Sequence, residues 1–168
     1  IKHDGRHKCR LVACGNRQFV QGSDAYAGVC AHDVWVQVIL LALAQERVVY
    51  QIDVLTAFLQ TDEQDPVRVD ASGSKRTFLR PPKECEKPKG WVWQVIKSIY
   101  GLKTAPRAWK QTLCRWLKSQ GMRPAAYDDS VWVCEATGVA VLIYVDDLVV
   151  TGSDIECVKL LTALRDRF

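Results

Sequence analysis

Residues 139–150 read VAVLIYVDDLVV, two adjacent carboxylates, Asp146 and Asp147, set among ten apolar or aromatic residues. Short apolar runs rich in β-branched residues read as strands, and the acid pair between them reads as the tight turn of a hairpin with both arms buried. Burial makes the pair costly. Two carboxylates about 4 Å apart repel by roughly 4 kcal/mol at an effective dielectric near 20, which protonation or a bound cation must offset. Oxygen-only ligands favour Mg²⁺, with Mn²⁺ as the alternative, and carboxylates arriving from separate strand ends suit the two ions of a phosphoryl-transfer clamp. A third acid, Asp53, lies near the end of the β-rich run 48–54, VVYQIDV. Asp53 and Asp146 are expected to converge at the edge of one sheet. Asp147 follows only if the turn brings it inward, since successive strand residues point to opposite faces. The competing reading is a polar β-turn, where Asp is common.

The chain around these acids has 168 residues, about one domain's worth, and its 48% hydrophobic and 25% charged residues with a net charge of +4 exclude disordered, collagenous and low-complexity classes. The longest apolar run, 34–44, is broken by Gln37 and falls short of the roughly 18 to 20 residues of a bilayer span, so no membrane segment is expected. Seven cysteines without a CxxC pair read as reduced thiols of an intracellular protein. The absence of an initiator Met and the open helical pattern at the end suggest a piece of a longer chain.

Asp4-Gly5 is a hairpin turn signal, which predicts a basic hairpin carrying Lys2, Arg6, Lys8 and Arg10. Asp33 is placed to cap a helix over 34–45 that is apolar on nearly every face and therefore expected in the core. Residues 62–89, rich in Pro and charge, read as an exposed excursion, and 91–96 as a strand. Pro106 suits the first turn of a helix whose Trp109, Leu113, Trp116 and Leu117 form one packing stripe, closed by Gly121. Segments 130–135 and 139–144 pair across Ala136-Thr137-Gly138, a strand over 148–151 follows, and helix resumes at Ser153 or Asp154. Tyr127-Asp128-Asp129 reads as a helix-to-strand turn. Neighbouring strands joined by short turns predict an α+β fold, an antiparallel sheet with helices packed on one face.

Several ordered motifs resemble the reverse transcriptase of copia-type (Pseudoviridae) long-terminal-repeat retrotransposons. KCRLVA at 8–13 resembles that family's KARLVA strand, LALA at 41–44 its LALA helix, and IDVLTAFLQ at 52–60 its MDVKTAFLN segment. KSIYGLKTAPRAW at 97–109 is nearly identical to KSLYGLKQAPRAW, and YVDDLVVTG at 144–152 to YVDDLLITG. The chain departs from the family at AGVCAH, 27–32, where a Thr-Phe-Ala-Pro-Val block is usual, and at Cys14, where Arg or Lys is usual.

The resemblance implies a polymerase palm-like sheet with a fingers hairpin in residues 1–30, palm in 31–60 and 101–168, and a second fingers segment in 61–100, without thumb or ribonuclease H. It implies RNA-directed DNA polymerisation onto a primer 3′-hydroxyl, with Asp53, Asp146 and Asp147 binding two Mg²⁺ ions. It places Phe58, five residues after Asp53, under the incoming sugar, and Arg10 with Lys2 or Lys8 on the triphosphate. Tyr100, Gly101, Lys103 and Pro106 would support nucleotide and template base, with Arg107 and Lys110 toward template backbone. The implied partners are an RNA or DNA template-primer, deoxynucleoside triphosphates and the remainder of a Pol polyprotein, in cytoplasmic particles. A nucleic-acid-binding remnant of such a polymerase that has lost catalysis is the alternative.

Overall fold

A computed structural model describes residues 5, 9–18, 27–62, 77–85 and 88–168. Most of the expected hairpin, including Lys2, Arg6 and Lys8 but not Arg10, lies outside the described residues, as does most of the excursion at 62–89. Among the described residues the α-helices and strands follow in order: α1 (His32–Ala44), β1 (Val48–Asp53), β2 (Thr77–Leu79), β3 (Trp93–Val95), α2 (Ala105–Ser119), β4 (Arg123–Pro124), β5 (Val131–Val133), β6 (Ala140–Tyr144), β7 (Asp147–Gly152) and α3 (Asp154–Arg167). β1, β7, β6, β5 and β4 lie side by side in one fully antiparallel sheet, and β2 and β3 pair separately. The α+β class expected from the short connections is therefore present.

Strand alternation sorts the large sheet into two buried faces. Val141 and Ile143 of β6, Leu148 and Val150 of β7 and Trp132 of β5 point to one side, where they pack with Trp109, Leu113 and Leu117 of α2 and Cys157 and Leu164 of α3. Leu142, Val149 and Val131 point to the other, where they meet Cys30 and the Val34, Val38 and Ile39 row of α1. Helices thus cover both faces. This corrects the expected one-sided arrangement, and the physical reason is visible in β6 and β7, whose residues are apolar in unbroken runs rather than in alternation, as strands covered on both faces are.

α1 corrects two further expectations. It begins at His32, with Ala31 at the N-cap and no side-chain cap, so Asp33 sits in the first turn, where its charge favours the positive helix end. The Ala31 N–H is taken instead by Asp128 Oδ2 at 3.2 Å, from the turn before β5. Only Ala42 is buried in α1, while Leu40, Leu41 and Leu43 are 60%, 55% and 63% exposed. A helix apolar all round presents only one row to a sheet, and its sequence does not say which.

α2 is closer to expectation. Pro106 lies in its first turn, where a missing N–H costs nothing. Trp109, Leu113 and Leu117 are fully buried, each such side chain contributing about 1.5–3 kcal/mol of hydrophobic stabilisation. It ends in a Schellman motif: Gly121, at φ +76°, donates to Lys118 O and Met122 N–H to Leu117 O, both at 3.1 Å.

Candidate active site

The two-residue turn Val145-Asp146 joins β6 to β7 and is flanked by the register pair Tyr144 and Asp147. In the neighbouring ladder Asp53, the last residue of β1, stands opposite Asp147. Directly opposed residues of antiparallel strands project to one face with Cβ atoms roughly 4.5–5.5 Å apart, so the sheet brings two acids together that are far apart in sequence. The sequence expectation paired Asp53 with Asp146. The register sets Asp147 opposite Asp53, and Asp146 adjoins them in the turn, its carbonyl accepting the Val54 N–H at 3.0 Å, so all three acids gather at this end of the sheet. Asp53 is exposed and Asp146 and Asp147 are half-buried, so this end of the sheet is open to solvent.

The turn itself is strained and braced. Val145 has φ +59°, a left-handed conformation that a β-branched residue adopts at a cost of order 1–3 kcal/mol. Its carbonyl accepts a 2.7 Å hydrogen bond from the indole Nε1–H of Trp109 on α2. Trp109 is completely buried, with the Phe168 ring edge-on at 5.1 Å. Sequence reading had placed Trp109 in a packing stripe and missed this bond, because helical spacing shows which residues share a face but not what an indole N–H reaches.

A second group gathers the residues expected around a nucleotide. Past β1, Thr56 at φ +54° leads into a 3-10 turn, Ala57–Gln60, that presents Phe58. The Phe58 ring lies 4.9 Å from that of Tyr100 at 59°, and the Arg10 guanidinium sits 4.4 Å over the other partner, the Tyr100 ring. Arg10, Tyr100 and Phe58 thus make one contiguous stack. Phe58 is half-buried between the main core and a small cluster of Ala13, Leu102 and Ala105, and its turn is tied down by Thr61, whose hydroxyl donates to Phe58 O and accepts from Ser98 N–H.

Gly101 makes a close backbone contact within the chain. At φ +88°, it packs so closely on the 9–18 segment that a Cβ would stand 2.2 Å from Ala13 O, while Ala13 N–H donates to Tyr100 O at 2.8 Å. Its small size admits protein backbone. Lys103 is committed to Gln18, its backbone N–H reaching Oε1 at 2.8 Å and its ammonium the carbonyl at 3.1 Å. Lys110 is also committed: its ammonium, on a side chain 13% exposed, bonds Asp129 at 2.7 Å together with Gly28 O and Ser130 Oγ. The expectation that Lys110 faces template backbone is corrected by these contacts within the chain, in which a largely covered ammonium meets the exposed carboxylate of Asp129. Asp128, beside it, loses some hydration, but the N–H groups of Ser130 and Ala31 hold its carboxyl below the usual value.

All seven cysteines are free, and burial pushes the Cys30 and Cys114 thiols up to about 11, so neither is a thiolate near neutrality. Among the described residues no group of three or more His, Cys, Asp or Glu side chains is arranged to hold a metal ion. The acid pair and its neighbour in the turn are an all-oxygen donor set, which fits a hard divalent cation.

The family profile described as reverse transcriptase (RNA-dependent DNA polymerase) matches residues 1–168. The chain belongs to the reverse transcriptase family. This reverse transcriptase segment is 32% identical to the retrovirus-related Pol polyprotein from transposon RE2 of Arabidopsis thaliana, over 97% of the chain and 11% of that relative. It is 32% identical to the corresponding protein from transposon RE1 of the same plant, over 89% of the chain and 10% of the relative. It is 29% identical to the Pol polyprotein from transposon TNT 1-94 of Nicotiana tabacum, over 92% and 12%. The reverse transcriptase chain therefore spans about a tenth of the length of these relatives. No solved structure matches it. The copia-type resemblance read from the motifs holds along the chain.

Proposed function

We propose that this segment is the palm and part of the fingers of an RNA-directed DNA polymerase that adds deoxynucleotides to a primer 3′-hydroxyl within a Pol polyprotein. The observation that carries the reading is the register that sets Asp53 opposite Asp147 at the open end of β1 and β7, with Asp146 in the adjoining turn.

Asp53 and Asp147 would hold the divalent cations, with Asp146 joining through the turn. When bound, Mg²⁺ or Mn²⁺ lowers the pKa of the primer hydroxyl and neutralises charge on the triphosphate and departing pyrophosphate. The chain's own contribution is positioning and electrostatics. Two carboxylates fixed by a backbone ladder need no reorganisation at the moment of reaction, which is where such sites gain most. Arg10 presents a permanent positive charge, and a guanidinium recognises phosphate in a fixed fork geometry. The Tyr100 ring holds that guanidinium in place. Phe58, wedged between core and stack, offers a flat wall against which a deoxyribose fits and a 2′-hydroxyl would clash.

The test is primer extension on poly(rA)/oligo(dT) by a full polymerase chain carrying this segment, with and without Mg²⁺. Extension by wild type, lost in Asp53→Asn with template binding retained, supports the reading. Template binding without any extension by wild type would instead identify a nucleic-acid-binding remnant.

A further inference from the structure

We infer that Trp109 is a positioning residue for the acid turn, its buried indole N–H holding Val145 in the left-handed conformation that keeps Asp147 in register with Asp53. The claim rests on the polymerase reading for what the turn does, and on the hydrogen-bond geometry for how the turn is held.

Val145 occupies a region of backbone space that β-branched side chains avoid, so the turn needs an external constraint to persist. Two constraints converge on consecutive carbonyls. The Val145 oxygen takes the Trp109 indole at 2.7 Å, and the Asp146 oxygen takes the Val54 N–H at 3.0 Å. The second comes from the residue after Asp53, so it ties the turn to the strand that supplies the opposing acid. The first comes from α2, which packs in the same core cluster as Val54. Together they anchor two consecutive peptide planes of the turn, 145–146 and 146–147. The indole has little freedom of its own: Trp109 is wholly buried, and the Phe168 ring lies edge-on against it. A Phe at this position would keep the packing and leave the Val145 carbonyl without this donor.

Trp109 also lies on the segment that carries Tyr100. Residues 100–109 run from the Arg10–Tyr100–Phe58 stack to the indole, so one stretch of chain braces both the side-chain stack and the acid turn.

The test compares wild type, Trp109→Phe, and wild type in which Trp109 is replaced by its benzothienyl isostere, which keeps the bicyclic ring and removes only the N–H. Three quantities are read in a full polymerase chain: amide hydrogen exchange at Val54, affinity for Mn²⁺ alone by electron paramagnetic resonance, and kcat and KM in primer extension. The expected result is Val54 exchange faster and Mn²⁺ affinity weaker by a factor of about ten, the fold-change one intramolecular hydrogen bond is worth. kcat should fall with KM for template-primer unchanged, and both replacements should agree. Trp109→Phe carrying Val145→Gly, whose glycine adopts positive φ freely, should recover most of the Mn²⁺ affinity.

Unchanged Val54 exchange and Mn²⁺ affinity in the isostere would overturn the inference, whatever Trp109→Phe does to folding. So would a drop in kcat that tracks melting temperature alone. Failure of the polymerase reading is distinguishable, because it would appear as Asp53→Asn with undiminished extension, while the exchange measurement still judges the indole bond.

Discussion

The acid turn and the Arg10–Tyr100–Phe58 stack are both built from residues distant in sequence, yet they are held by different forces. At the turn, Asp53 and Asp147 are placed by backbone ladders, and one buried indole bonds the turn's backbone. In the stack, placement depends on side-chain contact: a guanidinium on a ring, a ring on a ring, and a glycine with no room for a methyl group. A ladder has one register, because a slip of one residue would turn every buried side chain to the wrong face. A stack can slide. The acid pair should therefore depend on its own carboxylates and on the one indole that braces its turn, whereas the stack should be sensitive to every neighbour it touches.

The largest expected effect belongs to the acids. Asp53→Asn or Asp147→Asn should lower extension by on the order of a hundredfold to a thousandfold, the scale on which one preorganised electrostatic group acts. Melting temperature and filter binding of template-primer should barely change, since the basic surface is kept. A matching loss of stability would show that the acids hold the fold rather than the chemistry.

Next comes the glycine beneath the stack. Gly101→Ala places a methyl 2.2 Å from Ala13 O at a positive φ, so backbone must move, at a cost of at least about 1–3 kcal/mol. For a chain of this size each kcal/mol lowers the melting temperature by roughly 2–4 °C. The stack should loosen while Mn²⁺ affinity at the acids stays near wild type. Equal loss of both would mean the two regions are one unit.

Phe58→Val should relax discrimination against ribonucleotides by roughly tenfold or more, within the range one pocket contact usually controls. The measurement is the ratio of kcat/KM for a deoxynucleotide to that for its ribonucleotide. An unchanged ratio in an active variant would make Phe58 a packing residue alone. The smallest effect is expected for Arg10→Met, which removes an exposed cation–π contact worth about 0.5–1 kcal/mol. Its melting temperature should fall by a few degrees at most, with KM for the nucleotide rising more than that change explains.

What the sequence revealed divides along the same line. The β-branched runs at 48–54 and 139–150 were enough to foresee β1, β6 and β7, because strand formation there is local, although the turn joining the last two is Val145-Asp146 rather than the acid pair. Pro106 and Gly121 likewise marked α2, through backbone preferences that each residue carries by itself. The sided arrangement of helices was misjudged although a signal was present: β6 and β7 lack the polar alternation of a one-faced sheet. For α1 there was no such signal, since a helix apolar on all sides hides which row meets the sheet and leaves Leu40, Leu41 and Leu43 outside. The stack was anticipated only as separate residues from family resemblance. Nothing in a one-dimensional pattern says that Arg10 lies on Tyr100, or that Lys103 and Lys110 spend their charges on Gln18, Asp129 and nearby carbonyls.

Binding of Mn²⁺ alone, followed by electron paramagnetic resonance in a full polymerase chain, is the most direct test of whether Asp53 and Asp147 form a cation site. Asp62, which is occupied by Arg115 and Arg167 at 3.2 and 2.7 Å, serves as the control acid. Asp53→Asn and Asp147→Asn should each abolish high-affinity binding, while Asp62→Asn leaves it intact. Retained high-affinity binding in both of the first two variants would contradict a site built on the β1–β7 register.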